Sequence, residues 1–478
     1  MLILKLKMMI ALKKIFIAFC LIISLNSYAQ QYDANWASLD KRPIPQWYTD
    51  AKFGIFIHWG VYAVPAWAPA NEDIGVYAKY AEWYWQRING GKDPNEQKVD
   101  VNKMFVDHHN KLYGANFKYQ DFAPMFKAEN FNPAEWAEIF KDAGAKYVVL
   151  TSKHHEGFTL WPSEQSWNWN SVDIGPHKDI CNELSMAVKS AGLHMGMYYS
   201  LYEWFNPTYK TNPEKYVAEH MIPQLKDLVT QYKPELIYTD GEWDYPSSMW
   251  QSEKFLSWLY NESVVKNSVV VNDRWGKETR SVHGGFYTSE YGIVNGEDTK
   301  ASDLAAHPWE EIRGIGTSFG YNRVENLNNY LVSGELIHML INIVAHGGNL
   351  CLNIGPKPDG TIPVIMQQRL HDIGAWLKIN GEAIYGTAMW NNRPKAAEGQ
   401  NVFYTTKGKD LYVLCTKWQD KNITLSGLAK SGRVSLLGSS VSVKTKYTNG
   451  QFTILPPAIN PLNTPGGHAW VYKIEGVL

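Results

Sequence analysis

Three carboxylic acids follow one apolar stretch of this sequence. Residues 235–244 read ELIYTDGEWD, so that Asp240, Glu242 and Asp244 come directly after a run that is typical of a buried strand. Carboxylates are costly to remove from water unless they are paired or hydrogen-bonded. The cluster therefore has two explanations: a solvated loop after the strand, or a catalytic carboxylate at its end.

Polar and aromatic residues follow other apolar runs in the same way. They are His58, His154-His155-Glu156, Tyr198-Tyr199, Asp273-Arg274 and Glu290. In a (β/α)8 barrel the C-terminal ends of the strands form one rim, and the active site lies there. We expect these side chains to meet at that rim. Two carboxylates with aromatic residues indicate glycoside hydrolysis, in which one carboxylate attacks the anomeric carbon and the other donates a proton.

Several of these residues also have explanations without a function. His154 and His155 could bind a metal as a pair, but adjacent residues on a strand point to opposite faces, which argues against it. Arg274 could form only a local ion pair with the aspartate before it. Glu242 and Asp244 lie beyond the strand end, and we predict that they are solvated loop residues.

Alternating strands and helices must position this cluster. Short apolar runs rich in β-branched or aromatic residues occur at 53–58, 147–151, 195–200, 236–239, 269–272, 285–291, 312–317 and 348–354. Segments with apolar residues at helical spacing separate many of them, at 136–143, 182–191, 216–232, 255–260, 327–344 and 366–379. This alternation predicts a parallel sheet wrapped by helices, and eight strands would close a (β/α)8-like barrel. The pattern is irregular between the fifth and seventh strands.

The pattern changes after about Thr387. Short strand-like runs follow one another without helical spacing, and Asn449-Gly450 is a strong hairpin signal. This pattern is typical of a small all-β sandwich. We predict a signal peptide at 1–29, a (β/α)8-like catalytic domain at 30–387 and a C-terminal β-sandwich domain at 388–478.

Composition excludes some functions and suggests a location. The net charge of -1 gives no electrostatic reason to expect nucleic acid or an anionic membrane surface as a partner. Lys13 and Lys14 precede an apolar run that ends near Ala29, which is the order of a secretory signal peptide and is too short for a membrane span. We expect export to the periplasm or the medium. The cysteines match no zinc pattern, and we predict neither a metal nor a cofactor.

Eight stretches of the chain resemble glycoside hydrolase family 29, the retaining α-L-fucosidases. They are AKFGIFIHWGVYAVPAW (51–67), AEWYW (81–85), YVVLTSKHHEGFTLWPS (147–163), MYYSLYEW (197–204), ELIYTDGEW (235–243), VVVNDRWG (269–276), GIGTSFGYNR (314–323) and GGNLCLNIGPKPDG (347–360). The resemblance covers about residues 35–387. It implies an exo-acting enzyme that releases L-fucose from fucosylated oligosaccharides or glycoconjugates by double displacement, without a cofactor or a metal.

The resemblance also implies roles for individual residues. Asp240 corresponds to the nucleophile, and Glu290 fits the acid/base position, with Glu310 as the other candidate. Glu290 ends a strand, whereas Glu310 precedes the next strand and would start near the opposite rim, so the barrel geometry favours Glu290. The substrate-binding residues correspond to His58, Glu82, Trp83, His154, His155, Tyr199 and Arg274.

Two other functions are compatible with the sequence. One is a glycosidase for a related sugar such as an α-L-galactoside, since only the contact to C6 distinguishes the two sugars. The other is a non-catalytic fucose-binding protein on the same scaffold, although both candidate carboxylates are present. The preferred linkage and the oligomeric state do not follow from the sequence.

Overall fold

The computed structural model describes residues 31–70, 73–91, 100–291, 307–392, 401–428, 430, 432–460 and 466–478. The predicted signal peptide lies outside these residues. Within the described ranges, no helix combines the length and the apolar character that are needed to cross a membrane.

Eight parallel strands form the first sheet. They are β1 (Phe53–Ile57), β2 (Tyr147–Lys153), β3 (His194–Ser200), β4 (Leu236–Asp240), β5 (Val270–Val271), β6 (Tyr287–Glu290), β7 (Trp309–Gly314) and β8 (Asn349–Ile354). Their order is β5-β4-β3-β2-β1-β8-β7-β6. All eight predicted runs overlap an observed strand, but β7 begins three residues earlier than predicted, so that Glu310 lies on it.

Backbone hydrogen bonds connect the two end strands of this sheet, β5 and β6, just before β6 begins. The amide of Phe286 donates to the carbonyl of Val271 at 3.0 Å, and the amide of Gly285 donates to the carbonyl of Asn272 at 3.3 Å. A Cβ at Gly285 would lie 2.0 Å from the Val271 carbonyl oxygen, so this approach requires glycine. The sheet curls into a barrel, and the predicted (β/α)8-like fold is confirmed.

Helices surround the sheet. They are α1 (Trp36–Leu39), α2 (Gln46–Ala51), α3 (Tyr84–Ile88), α4 (Val101–Tyr113), α5 (Pro133–Asp142), α6 (Ile180–Ser190), α7 (Pro207–Thr211), α8 (Pro213–Tyr216), α9 (Ile222–Tyr232), α10 (Ser247–Trp250), α11 (Ser252–Asn261), α12 (Ser333–Ala345) and α13 (Val364–Asn380). The side chains of Asp100, Asn132 and Asp179 accept hydrogen bonds from the first turns of α4, α5 and α6. Such caps satisfy amides that have no partner within the helix.

Side chains on the barrel strands alternate between two environments. On β2, Tyr147 and Val149 belong to the apolar cluster inside the barrel, whereas Val148 and Leu150 pack under the surrounding helices. The same alternation places Tyr198 of β3 inside the barrel. This period of two decides which residue at the end of each strand can reach the rim.

The C-terminal part forms two antiparallel sheets. Their strands are β9 (Ala388–Met389), β10 (Val402–Lys407), β11 (Asp410–Cys415), β12 (Ile423–Ser426), β13 (Val434–Leu436), β14 (Lys444–Thr448), β15 (Gln451–Leu455) and β16 (Trp470–Ile474). The sheet orders are β13-β16-β11-β10-β9 and β12-β15-β14. A shared apolar core that includes Val413, Leu425 and Phe452 makes this a β-sandwich. The indole of Trp376 on α13 donates to the carbonyl of Ala469 at 3.0 Å and connects the sandwich to the barrel.

Candidate active site

A cavity of about 440 Å³ opens at the C-terminal ends of the barrel strands. Eight of the predicted site residues line it: His58, Glu82, Trp83, His154, His155, Asp240, Arg274 and Glu290. Tyr199 and Glu310 are the two predicted residues that do not. The strand-end residues predicted to meet at one rim therefore do so in large part.

Asp240 ends β4 and is surrounded by hydrogen-bond donors. The hydroxyl of Tyr198 donates to its Oδ2 at 3.0 Å, and Nη1 of Arg274 donates to its Oδ1 at 2.8 Å. Nη2 of Arg280 lies 3.7 Å from the same Oδ1. Burial raises the pKa of Asp240, but the nearby positive charges of Arg274 and Arg280 outweigh it and hold the pKa below its usual range. Asp240 is therefore an ionised carboxylate at neutral pH.

The guanidinium of Arg274 connects Asp240 with Glu290. Its Nη1 donates to Asp240, its Nη2 donates to Oε1 of Glu290, and its Nε donates to Oγ1 of Thr288 at 3.0 Å. Asp273 instead accepts hydrogen bonds from the Thr288 hydroxyl and from a backbone amide. The alternative of a purely local ion pair between Arg274 and Asp273 is therefore wrong, because Arg274 bridges two carboxylates from different strands.

Two histidines of the cavity have defined tautomers. Nδ1 of His58 lies 2.6 Å from Oδ1 of Asn353, and Nδ1 of His155 lies 2.6 Å from the hydroxyl of Ser200. That hydroxyl donates its own proton to the carbonyl of Tyr202, so Nδ1 of His155 must be the donor. Burial lowers the pKa of His58 to about 3 and the pKa of His155 well below its ordinary value. Both rings are neutral, with an unprotonated Nε2 that can accept a hydrogen bond from a ligand.

His154 and His155 both line the cavity, which differs from the opposite faces expected of strand neighbours. The reason is that β2 ends at Lys153, so the two histidines lie on a turn and not on the strand. Nδ1 of His154 lies 3.3 Å from Oε2 of Glu156, and Nε2 of His155 lies 3.7 Å from Oδ2 of Asp240.

Glu82 and Trp83 form another wall of the cavity. Oε2 of the buried Glu82 accepts hydrogen bonds from the amide of Gly320 at 2.8 Å and the hydroxyl of Ser318 at 3.1 Å. Its Oε1 has no hydrogen-bond partner in the part of the chain that the structure describes. Burial raises the pKa of Glu82. The ring of Trp83 meets His155 edge to face at 5.6 Å. The wall thus combines an unused acceptor with an aromatic surface, as a sugar-binding site requires.

The expectation for Tyr199 is wrong, and the neighbouring residue lines the cavity instead. The hydroxyl of Tyr199 donates to Gln224 at 2.8 Å, and the ring lies 4.3 Å from the ammonium of Lys153, outside the barrel. Tyr198 pairs with Tyr238 in the register of β3 and β4, and both line the cavity. Strict alternation along β3 is the sequence signal that distinguishes the two tyrosines.

Glu310 lies inside the barrel but below the cavity. Its Oε2 accepts hydrogen bonds from the hydroxyls of Tyr48, at 3.0 Å, and Tyr147. Burial raises its pKa to about 7, although the two hydroxyls lower it. In the register of β6 and β7, Glu310 is paired with Thr288, two residues before Glu290, so Glu310 lies one layer below the rim at which β6 ends. The choice of Glu290 as the acid/base residue stays a prediction, and this geometry favours it.

Glu242 is not the solvated loop residue that the sequence suggests. It is only 1% exposed, and its Oε1 accepts a hydrogen bond of 2.5 Å from Nε of Arg280. Asp244 is exposed, as expected, and accepts a hydrogen bond from Tyr209. Glu242 turns inward because a buried carboxylate with a cationic partner is stable where an unpaired one would not be.

The cavity lining includes residues to which the sequence prediction assigned no role, among them Tyr198, Trp243 and Arg280. Alternation along β3 identifies the first. Trp243 belongs to the quoted ELIYTDGEWD stretch, but it lies beyond the strand, where no period predicts a direction. Arg280 lies in an irregular segment between β5 and β6, and no local pattern identifies it.

No three His, Cys, Asp or Glu side chains of the described residues are grouped as metal ligands would be. The expectation that neither a metal nor a cofactor takes part stays a prediction.

Comparisons with known proteins agree with the chemistry of the cavity. A family described as Alpha-L-fucosidase matches residues 20–382, and one described as Alpha-L-fucosidase C-terminal domain matches residues 396–475. The alpha-L-fucosidase of Dictyostelium discoideum is 42% identical over 98% of this chain and 100% of its own length. The tissue alpha-L-fucosidase of Homo sapiens is 42% identical, with 94% of this chain and 92% of the relative covered.

Solved structures give the same result. The Thermotoga maritima alpha-fucosidase in complex with fucose is 33% identical, with a TM-score of 0.74 over 93% of this chain and 100% of that chain. The same enzyme in complex with a mechanism-based inhibitor has a TM-score of 0.75 at 32% identity over the same shares of the two chains.

Proposed function

Since this chain belongs to the alpha-L-fucosidase family, we propose that it is an exo-acting, retaining α-L-fucosidase with Asp240 as its nucleophile and Glu290 as its acid/base catalyst. The observation that carries this proposal is the guanidinium of Arg274, which contacts both carboxylates at the rim of one cavity. Retaining enzymes need two carboxyl groups close together on the two sides of the scissile bond. A single guanidinium that spans both groups satisfies this requirement.

The first step transfers fucose to the enzyme. The ionised Asp240 attacks the anomeric carbon, and an ester bond to that carbon forms while the glycosidic C–O bond breaks. Glu290 gives its proton to the departing oxygen, so that the leaving sugar departs as an alcohol. The product is a fucosyl-enzyme in which Asp240 is neutral and Glu290 is negatively charged.

The second step releases fucose. Glu290 takes a proton from water, the resulting oxygen attacks the anomeric carbon, and the bond to Asp240 breaks. Asp240 leaves as a carboxylate, and Glu290 is protonated again. Two inversions at the same carbon give retention.

The inner end of the cavity suits the hydroxyl groups of fucose. His58 and His155 offer unprotonated Nε2 atoms and Glu82 offers a carboxyl oxygen, and these acceptors match hydroxyl donors. We propose that His154 and Arg274 contribute further hydrogen bonds, and that Trp83 packs against the apolar C6 side of the sugar. A cavity that encloses the terminal sugar unit of a glycan in this way is consistent with an exo-acting enzyme.

The finer statements about substrate, location and domains belong to the same proposal. We propose that the substrates are fucosylated oligosaccharides or glycoconjugates and that the protein is exported to the periplasm or the medium. The charged and apolar segment before Ala29 supports export. We propose domain limits at residues 30–387 and 388–478, and the change from a parallel to an antiparallel sheet supports them.

The assignment of Asp240 is tested by Asp240→Gly. Hydrolysis of an aryl α-L-fucoside should fall by about 10⁴-fold or more, because no covalent intermediate can form. Added azide fits the vacated space and should restore turnover, with fucosyl azide as the product. Asp244→Asn, which changes the exposed carboxylate four residues further on, is the matched control. Near-native hydrolysis by Asp240→Gly would show that another residue is the nucleophile.

A further inference from the structure

The guanidinium of Arg280 also lines the cavity, and the mechanism above does not use it. Nη2 of Arg280 lies 3.7 Å from Oδ1 of Asp240, on which Arg274 also acts. The Arg280 side chain is 40% exposed, compared with 3% for Arg274. Burial therefore does not immobilise Arg280, and an ion pair has to hold it beside Asp240.

Glu242 provides that ion pair. Its Oε1 accepts the hydrogen bond from Nε of Arg280 at 2.5 Å. Because this contact uses Nε, the terminal nitrogen Nη2 can face Asp240. The backbone of Glu242 is itself held, since the indole of Trp250 donates to its carbonyl at 3.1 Å. Gly241 before it has φ +74°, and a Cβ there would lie 2.5 Å from Cβ of Tyr202. This turn requires glycine and directs Glu242 inward.

Two guanidiniums serve the carboxylates around Asp240 in different ways. Arg274 is shared between Asp240 and Glu290, whereas Arg280 is paired with Glu242 and also faces Asp240. In the fucosyl-enzyme, Asp240 is neutral and Glu290 carries the charge, so that Arg274 is drawn to Glu290. A charge that develops on Asp240 in the second step then depends on the other cation.

We propose that Glu242 is a positioning residue that holds Arg280 beside Asp240, and that Arg280 stabilises the Asp240 carboxylate as it leaves in the second step. This inference rests on the proposed function, in which Asp240 is the nucleophile. A nearby cation favours the ionised form of Asp240, which agrees with the direction of its pKa. It assists the departure of the carboxylate, in which negative charge grows, and does not assist its attack, in which negative charge is lost.

The test compares the two steps in wild-type enzyme and in Arg280→Gln, which keeps a polar side chain at a partly exposed position. With an activated aryl α-L-fucoside, kcat should fall about tenfold and KM should fall with it, because the intermediate accumulates. A pre-steady-state burst of the aryl alcohol should appear. Acid quenching and peptide mapping should find the fucosyl group on Asp240. Arg280→Lys keeps the charge and should restore most of kcat.

The part played by Glu242 is tested by a double-mutant cycle. Glu242→Gln should slow the second step in wild-type enzyme but not in the Arg280→Gln background, because there is no longer a guanidinium to hold. Asp244→Asn, in the same turn but bonded to Tyr209, is the control that should leave both steps unchanged.

Three results would overturn the inference. An Arg280→Gln enzyme with raised KM and no burst would place Arg280 in substrate binding, and one with unchanged kinetics would leave it without a role. Equal slowing by Glu242→Gln in both backgrounds would show that Glu242 does not act through Arg280. A label found on a residue other than Asp240 in wild-type enzyme would instead refute the proposed function, so the two failures are distinguishable.

Discussion

Asp240 and Glu310 are carboxylic acids inside the same barrel, and their surroundings give them opposite properties. Both accept hydrogen bonds from tyrosine hydroxyls, Asp240 from Tyr198 and Glu310 from Tyr48 and Tyr147. Asp240 also faces two guanidiniums, which hold its pKa below the usual range. Burial raises the pKa of Glu310 to about 7.

This difference teaches that burial alone does not make a catalytic carboxylate. The upper layer of the barrel, at the C-terminal rim, adds compensating positive charge and an opening to solvent. The lower layer, around Glu310, offers two tyrosine hydroxyls and apolar rings, and these hydroxyls and the more distant charge of Arg274 lower the pKa of Glu310 by less than burial raises it. A carboxylate can serve as a nucleophile at neutral pH in the first environment, whereas the second favours its protonated form.

Among the variants that test this comparison, Glu290→Ala should have the largest effect on the rate of hydrolysis. Loss of the general acid should slow hydrolysis of substrates with poor leaving groups by about 10²- to 10³-fold, because the departing oxygen needs a proton. Activated aryl fucosides need no such help in the first step, so their kcat/KM should change much less. Steady-state kinetics over a series of leaving groups measures the difference.

Glu310→Gln is the matched variant for that experiment. A carboxyl that does not line the cavity should show no dependence on the leaving group. If Glu310→Gln produced the leaving-group dependence and Glu290→Ala did not, the roles of the two layers would be reversed.

A smaller effect is expected from Tyr198→Phe, which removes a donor from the upper layer. Loss of a hydrogen bond to a charged carboxylate should lower kcat about tenfold, because Asp240 loses part of its stabilisation and its orientation. Tyr199→Phe changes the adjacent residue on the other face of β3. It should lower the free energy of unfolding by about 1 kcal/mol through the lost bond to Gln224. A larger kinetic effect at Tyr199 would contradict the alternation on which this assignment rests.

Substitution of Glu310 should have the smallest effect on activity. It should instead change how the free energy of unfolding depends on pH. The pKa of Glu310 is about 7 in the folded protein and near 4.5 in the unfolded chain. Below pH 4.5 the group is protonated in both states. Between these values the unfolded chain releases the proton while the folded protein keeps it, so stability falls as pH rises, by up to about 3 kcal/mol at pH 8.

Glu310→Gln removes this pH dependence. Urea unfolding at pH 5 and pH 8 should therefore show the variant gaining stability relative to wild type at the higher pH. An identical difference between variant and wild type at both pH values would mean that Glu310 does not titrate in this range.

Local patterns were sufficient to predict much of the fold. Alternating apolar runs and helical spacing predicted the eight barrel strands, and the change after Thr387 predicted the β-sandwich, because hydrophobic periodicity is a property of neighbouring residues. The strand-end positions of His58, Asp240 and Glu290 predicted their common rim. The start of β7 was predicted three residues late, because Glu310 and Glu311 are buried within the strand although glutamates before an apolar run are typical of a solvated loop.

The sequence by itself determined the family, the barrel and the group of strand-end residues that carry the chemistry. These features depend on residue types and spacings within short segments. Only the tertiary structure decided that Arg274 bridges Asp240 and Glu290 and that Glu242 is buried against Arg280. The physical reason is that these ion pairs join residues 16 to 38 positions apart in the chain. Such partners meet only after the barrel has closed, and no local period records them.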